Sequence, residues 1–300
     1  MLATIVRHYG GPEQLELTEV PTPDPGPGEV RVAVAAAAVN PIDAVTRAGF
    51  FDSVVRGRLP IGLGWDLAGT VDAVGPDVSD LAVGDEVIGL IDQIVVPTGA
   101  YATHAVLPRT ALTAAPAGVD LAAAATLPLN ASTVDLALDL LDLAAGQTLL
   151  VTGAAGAVGE YAVALAAGRG LKVIGLARPG DEDDVRAAGA ADFVSSLGDA
   201  PEVDAVLDAA QLGTPALAPV RDGGSFLAVT DPAIPPAERG IRVLKVSVQA
   251  DQDRLARVAA AAEAGQLRLR VAGTFPLAEA GVAQERVAQG GVRGRFVLIP

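Results

Sequence analysis

The chain has 300 residues, of which 51% are hydrophobic but only 3% aromatic, and a formal net charge of −15 at pH 7. That charge argues against nucleic acid or an anionic membrane as a partner. With no Cys, and with His8 and His104 as its only histidines, the chain has no disulfide, thiolate zinc site, cysteine nucleophile or His-rich metal cluster.

The length suits one large or two ordinary domains. The N-terminal MLATIVRHYGG lacks a long apolar core, and no run approaches the roughly 18 apolar residues of a spanning helix. The expectation is a cytoplasmic protein.

Residues 1–110 read as short strands punctuated by Gly and Pro, an all-β pattern. A strand over 15–17 leads into the stiff connector PTPDPGPG. Residues 29–39 alternate at Val30, Val32 and Val34, then turn apolar on both faces until Asn40-Pro41 ends them. Further strands are expected over 69–74, 83–90 and 100–107. Asp120 is a candidate N-cap for LAAAATL, and Asn130 for a second helix. That second helix places Leu136, Leu140 and Leu143 on one face, with Val134, Leu138 and Leu141 beside it. From residue 147 the pattern alternates: strands at 149–152, 172–177, 193–194, 205–207, 225–229 and 243–248, with helices at 183–188 and 252–264. Strands alternating with helices predict a parallel, doubly wound sheet, hence an α/β fold. Residues 266–300 return to strand, turn, helix and strand.

The segment QTLLVTGAAGAVGEYAVALAAG, 147–168, organises the chain, with its glycines spaced GxxGxxG, or AxGxxG from Ala154, and not the commoner GxGxxG. A buried strand runs into Gly153, Gly156 and Gly159, and a helix of small and apolar residues follows. Strand, glycine turn and helix in this order make a dinucleotide-binding unit. Gly153 permits the sharp turn, Gly156 removes a Cβ where a pyrophosphate must approach, and Gly159 lets the helix sit close on the sheet. The helix start then offers free N–H groups and a positive dipole, so Ala155, Ala157 and Val158 join the cofactor set. The competing reading is a glycine-rich turn with no ligand.

The tip of the next strand, Ala177-Arg178, chooses between cofactors. An NAD site usually places Asp or Glu there, whereas Arg suits a 2′-phosphate. NADPH is therefore expected, unless Arg178 is a solvated residue paired within the acidic run Asp181, Glu182, Asp183 and Asp184. Ala209 and Val229, at the ends of two later strands, complete the cofactor assignments.

Seven segments, in order, carry a resemblance: VNPIDAVTRAGF, GWDLAGTVDAVGPDV, VGDEVIGL, GAYATHAVLP, LPLNASTVDLAL, VTGAAGAVG and GRFVLIP. On these the chain resembles the zinc-independent medium-chain dehydrogenases/reductases of the quinone oxidoreductase group. The resemblance implies a GroES-like β domain over 1–121 and 266–300, with a Rossmann domain over 122–265 inserted in it. It also implies a homodimer and a substrate cleft between the domains. Zinc-dependent relatives carry Gly-His-Glu where this chain has Gly64-Trp65-Asp66, so no metal site is expected. Without a Lewis acid to hold an alkoxide, the better substrates are a quinone or an α,β-unsaturated carbonyl, in which hydride charge delocalises onto oxygen.

The same resemblance implies residue roles. Asn40 falls near the nicotinamide and substrate, where its amide could polarise a carbonyl; the alternative is an Asn-Pro turn-former. Ile94 sits in a loop whose family counterpart borders the substrate cleft; Phe50, Phe51 and Trp65 offer aromatic faces on which a quinone or enone stacks, with core packing as the alternative. Thr133 matches a residue touching the nicotinamide half, or is a plain helix residue. Arg293 or Arg295 reaches a phosphate, or is simply solvated. Two other functions stay open on the same scaffold: an enoyl-thioester reductase, and a nucleotide-binding protein with a sensor or non-redox role.

Overall fold

The computed structural model describes residues 1–300, which divide into two compact units. The first comprises Met1–Leu129, Gln249–Glu263 and Leu269–Pro300; the second comprises Asn130–Val248 and Ala264–Arg268.

The first unit begins with β1 (Leu2–Val6), β2 (Leu15–Glu19) and β3 (Glu29–Ala38). Two short helices follow, α1 (Pro41–Arg47) and α2 (Asp52–Val55). Next come β4 (Ile61–Gly62), β5 (Asp66–Val74), β6 (Glu86–Leu90), β7 (His104–Pro108), β8 (Leu112–Ala114) and α3 (Leu121–Ala124). β1 lies outside the strands expected from sequence; it is central in a small sheet ordered β2-β1-β4. The apolar stretch at the end of β3 is explained by burial on both faces: Ala36, Ala37 and Ala38 have no exposed surface. Asp120 caps α3 as expected, its carboxylate accepting from the Ala122 N–H at 2.9 Å.

α4 (Pro128–Leu141) starts in the first unit and is the opening element of the second. Asn130 therefore lies inside the helix and is not its cap. Proline suits a helix start because its missing N–H needs no partner there. The Leu129 N–H donates instead to Asp66 Oδ1 at 2.6 Å, so a distant carboxylate does the work of a cap. The buried stripe is Ala131, Val134, Leu138 and Leu141, whereas Leu140 is exposed.

The second unit continues with β9 (Thr148–Thr152), α5 (Ala157–Gly168), β10 (Lys172–Leu176) and α6 (Glu182–Ala187). It closes with β11 (Asp192–Val194), β12 (Val203–Asp208), β13 (Val220–Ala228) and β14 (Arg242–Lys245). All pairings are parallel, in the order β11-β10-β9-β12-β13-β14. This is the doubly wound sheet the alternation predicts. β9 and β12 are neighbours although the chain runs from β9 outward to β10 and β11 first. The strand order therefore reverses between them, and in such sheets that is where ligands bind.

The chain then returns to the first unit through α7 (Gln252–Glu263), β15 (Val271–Pro276), α8 (Ala280–Ala288) and β16 (Arg295–Ile299). These complete a seven-stranded sheet, β15-β16-β3-β5-β6-β8, with β7 also paired to β3. The sequence assigned α7 to the nucleotide-binding domain, but the helix belongs to the first unit. It presents Leu255, Val258, Ala259 and Ala262 as a buried stripe and packs against β8 and the turn before it. The boundary near residue 121 likewise moves to Leu129, because Asp66 fixes the start of α4.

Candidate active site

In the second unit the site is built around the turn from β9 to α5. Gly153 has φ +62°, left-handed backbone that favours glycine, and the Gly156 N–H donates to its carbonyl at 2.8 Å. A Cβ on Gly159 would collide with that same carbonyl oxygen, so the helix can approach only because residue 159 has none. Gly156 is the N-cap of α5 and provides no side-chain cap. The first N–H groups of the helix, at Ala157 and Val158, thus face the helix end, the arrangement that receives an anion. The cradle fits a dinucleotide diphosphate. α5 is 12 residues long and almost wholly buried beyond its first turn, so its end is fixed rather than fraying.

Ala177 lies half-buried at the tip of β10. Arg178 next to it is mostly exposed, and its Nε donates to the buried Asp181 at 3.3 Å. This is the solvated pairing within the acidic run that stood as the alternative to a phosphate contact; it uses the inner nitrogen of the guanidinium, and the outer fork keeps the geometry that suits a phosphate. Ala209 is half-buried and follows β12, while the Val229 N–H bonds to the Asp208 carbonyl at 3.4 Å. The structure brings the glycine turn, Ala209 and Val229 to the carboxyl ends of β9, β12 and β13. Thr133 is a buried residue of α4.

In the first unit Asn40 sits in a polar network sealed from solvent. Its Nδ2 donates to Asp66 Oδ2 at 2.7 Å, and its backbone N–H donates to Asp43 Oδ2 at 2.8 Å. Asn40 and Asp43 together form a capping box around the first turn of α1. Tyr101 Oη donates to the same Asp43 oxygen at 2.9 Å. Beyond these, Arg47 Nε donates to Gln284 Oε1 at 2.8 Å, and Arg47 also donates to the Gly10 carbonyl. Asn40, Asp43, Asp66, Tyr101 and Gln284 are all at least 98% buried.

Burial governs the electrostatics of this network. It pushes the Asp43 carboxyl up to about 7, against the pull of the Asn40 N–H and the Tyr101 hydroxyl. Burial also raises Asp66 to about 7, with the nearby Asp43 charge adding to it and the Asn40 amide opposing. The Tyr101 hydroxyl is raised well above its ordinary value, first by burial and then by the Asp43 charge. Asp66 and Tyr101 lay outside the sequence-based site. The signal for Asp66 is an acid directly ahead of the apolar run Leu67–Gly69.

The aromatic candidates are spread out. Phe50 and Phe51 meet edge to face, with centroids 5.1 Å apart, and Phe50 is 59% exposed. Trp65 is half-buried, and its carbonyl accepts from the Ile91 N–H at 2.7 Å. Ile94 packs on the edge of the first unit's core, and Arg293 is half-buried near β16. His104 is half-buried between Thr103 and Asp72, a structural setting.

Comparison with known proteins agrees with this architecture. Residues 26–117 match the family model described as alcohol dehydrogenase GroES-like domain, and residues 182–298 the one described as zinc-binding dehydrogenase. The chain's own donors do not fit a zinc ion: there is no Cys, and no group of three His, Asp or Glu side chains is placed to hold a metal. Over its whole length the chain is 30% identical to an NADPH-dependent alkenal/one oxidoreductase of Arabidopsis thaliana chloroplasts, covering 80% of that protein. It is 29% identical to a 2-haloacrylate reductase of a Burkholderia species, covering all of this chain and 99% of the relative. The structure of the quinone oxidoreductase from Coxiella burnetii superposes with a TM-score of 0.89 at 27% identity, covering 100% of this chain and 99% of that one.

Proposed function

We propose that this chain, which belongs to the medium-chain dehydrogenase/reductase family in its quinone oxidoreductase group, is an NADPH-dependent oxidoreductase. Its acceptor is a quinone or an α,β-unsaturated carbonyl. When bound, NADPH supplies the hydride. The observation that carries the reading is the glycine cradle beneath the uncapped start of α5, in a chain matched from end to end by an NADPH-dependent reductase.

The chain's residues divide the work. Gly153, Ala155, Gly156, Ala157 and Val158 receive the diphosphate through backbone amides. Arg178, steadied at its inner nitrogen by Asp181, takes the 2′-phosphate with its outer fork. Ala177, Ala209, Val229, Thr133 and Arg293 complete the cofactor contacts. Phe50, Phe51, Trp65 and Ile94 receive the acceptor. Asn40 is the polarising amide of this reading, with its Nδ2 held by Asp66 at 2.7 Å. Reduction proceeds without zinc, since Trp65 stands where metal-dependent relatives carry a ligand. No helix is long and apolar enough to cross a membrane. A cytoplasmic homodimer is part of the reading, with the β14 edge of the parallel sheet as the natural pairing surface.

Loss of NADPH absorbance on mixing the purified protein with a panel of quinones and enones is the direct test. Turnover of at least one acceptor is expected, unchanged by a metal chelator. Tight NADPH binding with no consumption across the panel would overturn the reductase reading.

A further inference from the structure

The loop after β12 is tied to the glycine turn by a single buried carboxylate. Asp208 ends β12 and Thr152 ends β9; the two are paired in register and neither has exposed surface. Thr152 Oγ1 donates to Asp208 Oδ1 at 2.5 Å and accepts from the Ala210 N–H at 3.0 Å. The Leu212 N–H donates to Asp208 Oδ1 at 3.1 Å, and the Gly213 N–H to Oδ2 at 2.8 Å. Three backbone donors of a five-residue loop are thus satisfied from the two strand ends.

The loop needs that hold. Gln211 has φ +58° and Gly213 φ +62°, so a non-glycine residue is kept in left-handed backbone, which costs energy unless its surroundings impose it. The restrained loop comes down on the first glycine of the turn. A Cβ on Gly153 would lie 3.3 Å from Ala210 Cβ and 3.4 Å from its nitrogen. β9 and β12 are the strands between which the sheet order reverses, so this loop forms one wall of the crevice at that point.

We propose that Thr152 and Asp208 are positioning residues for the dinucleotide: their buried hydrogen bond holds residues 209–213 against Gly153, so that the crevice wall stands formed before the cofactor arrives. A hydroxyl suits the task because it donates and accepts at once, passing the Ala210 N–H on to the carboxylate. Preorganisation of this kind raises affinity by removing the ordering cost at binding. The proposal rests on the NADPH reading above.

The test compares Thr152→Val, which keeps the branched shape and deletes the hydroxyl, with Thr152→Ser, which restores it. NADPH affinity is measured by cofactor fluorescence on protein shown to be folded by circular dichroism, alongside steady-state kinetics and amide exchange. Thr152→Val should raise the Kd and KM for NADPH about tenfold. Its kcat at saturating NADPH should stay within about twofold of wild type, and the amides of Ala210, Leu212 and Gly213 should exchange faster. Thr152→Ser should return all of these toward wild type. Should Thr152→Val not fold, Asp208→Asn carries the same readouts, since its amide would oppose the Gly213 N–H. Unchanged NADPH affinity in a folded variant, or equal losses in the Val and Ser proteins, would overturn the proposal alone. A wild-type chain that binds no NADPH would overturn the functional reading with it.

Discussion

Tyr101 donates its phenolic hydrogen bond to Asp43 over 2.9 Å, and neither side chain has any exposed surface. The same Asp43 oxygen accepts from the Asn40 backbone, so one carboxylate joins the β-rich unit's core to the start of α1. Removing the hydroxyl by Tyr101→Phe leaves that oxygen with one donor. A loss of about 1–3 kcal/mol of stability is expected, read as a lower urea midpoint. An unchanged midpoint would show that the bond contributes nothing net.

Stability should also depend on pH in a direction set by burial. Asp43 and Asp66 are raised to about 7 in the folded chain, whereas unfolded they titrate near 4. Between those values the native state holds protons the unfolded state has released, so stability falls as pH rises and levels off above about 7. Urea unfolding at pH 5 and pH 8 should give the lower stability at pH 8. The difference should shrink in Asp66→Asn. A wild-type stability that rises across the same window, with Asp66→Asn indistinguishable from it, would contradict this account.

Asp204 carries the opposite sign. The Thr148 backbone N–H, its hydroxyl and Arg221 hold the Asp204 carboxyl down at about 2. Its contribution is complete above the ordinary carboxylate range and is lost as pH falls through about 2. Asp204→Asn should therefore be less stable than wild type at pH 7, and the gap should close progressively in acid denaturation.

Two glycines of the turn should separate folding from binding. Gly159→Ala drives a methyl group into the Gly153 carbonyl, backbone that cannot step aside, and should cost about 1–3 kcal/mol of stability. Gly156 has φ −79°, and an added Cβ there meets only the Gly153 carbonyl oxygen, at 3.2 Å. Gly156→Ala should leave the thermal midpoint nearly unchanged while weakening NADPH in a binding titration. Equal effects of both substitutions on stability would refute the distinction.

Arg178→Ala should raise the KM for NADPH about tenfold or more and leave that for NADH within about twofold, since only the former carries the 2′-phosphate. Steady-state kinetics with both cofactors decide it. Parallel changes would remove Arg178 from its role.

How much of this was legible beforehand follows from the range of each interaction. The glycine turn, the alternation of strands with helices and the Asp120 cap depend on residues a few positions apart, where backbone sterics and local hydrogen bonds leave little choice. The seven ordered segments carried the GroES-like frame across the rest of the chain. Asn40-Pro41 was readable as the end of the strand over 29–39, since a proline restricts the residue before it and cannot donate.

What only tertiary structure decided lies across long separations. Asp66 reaches Leu129, 63 positions away, and so replaces Asn130 as the partner that starts α4. Thr152 meets Asp208 across 56 positions, and Arg47 meets Gln284 across 237. α7 is amphipathic by its spacing, but nothing in that spacing names the surface it covers. The sequence by itself determined which segments could turn, alternate or cap, because those are short-range sterics. Which buried acid finds which donor was decided by sheet register, since a polar group shut off from water must be satisfied by whatever the fold brings beside it.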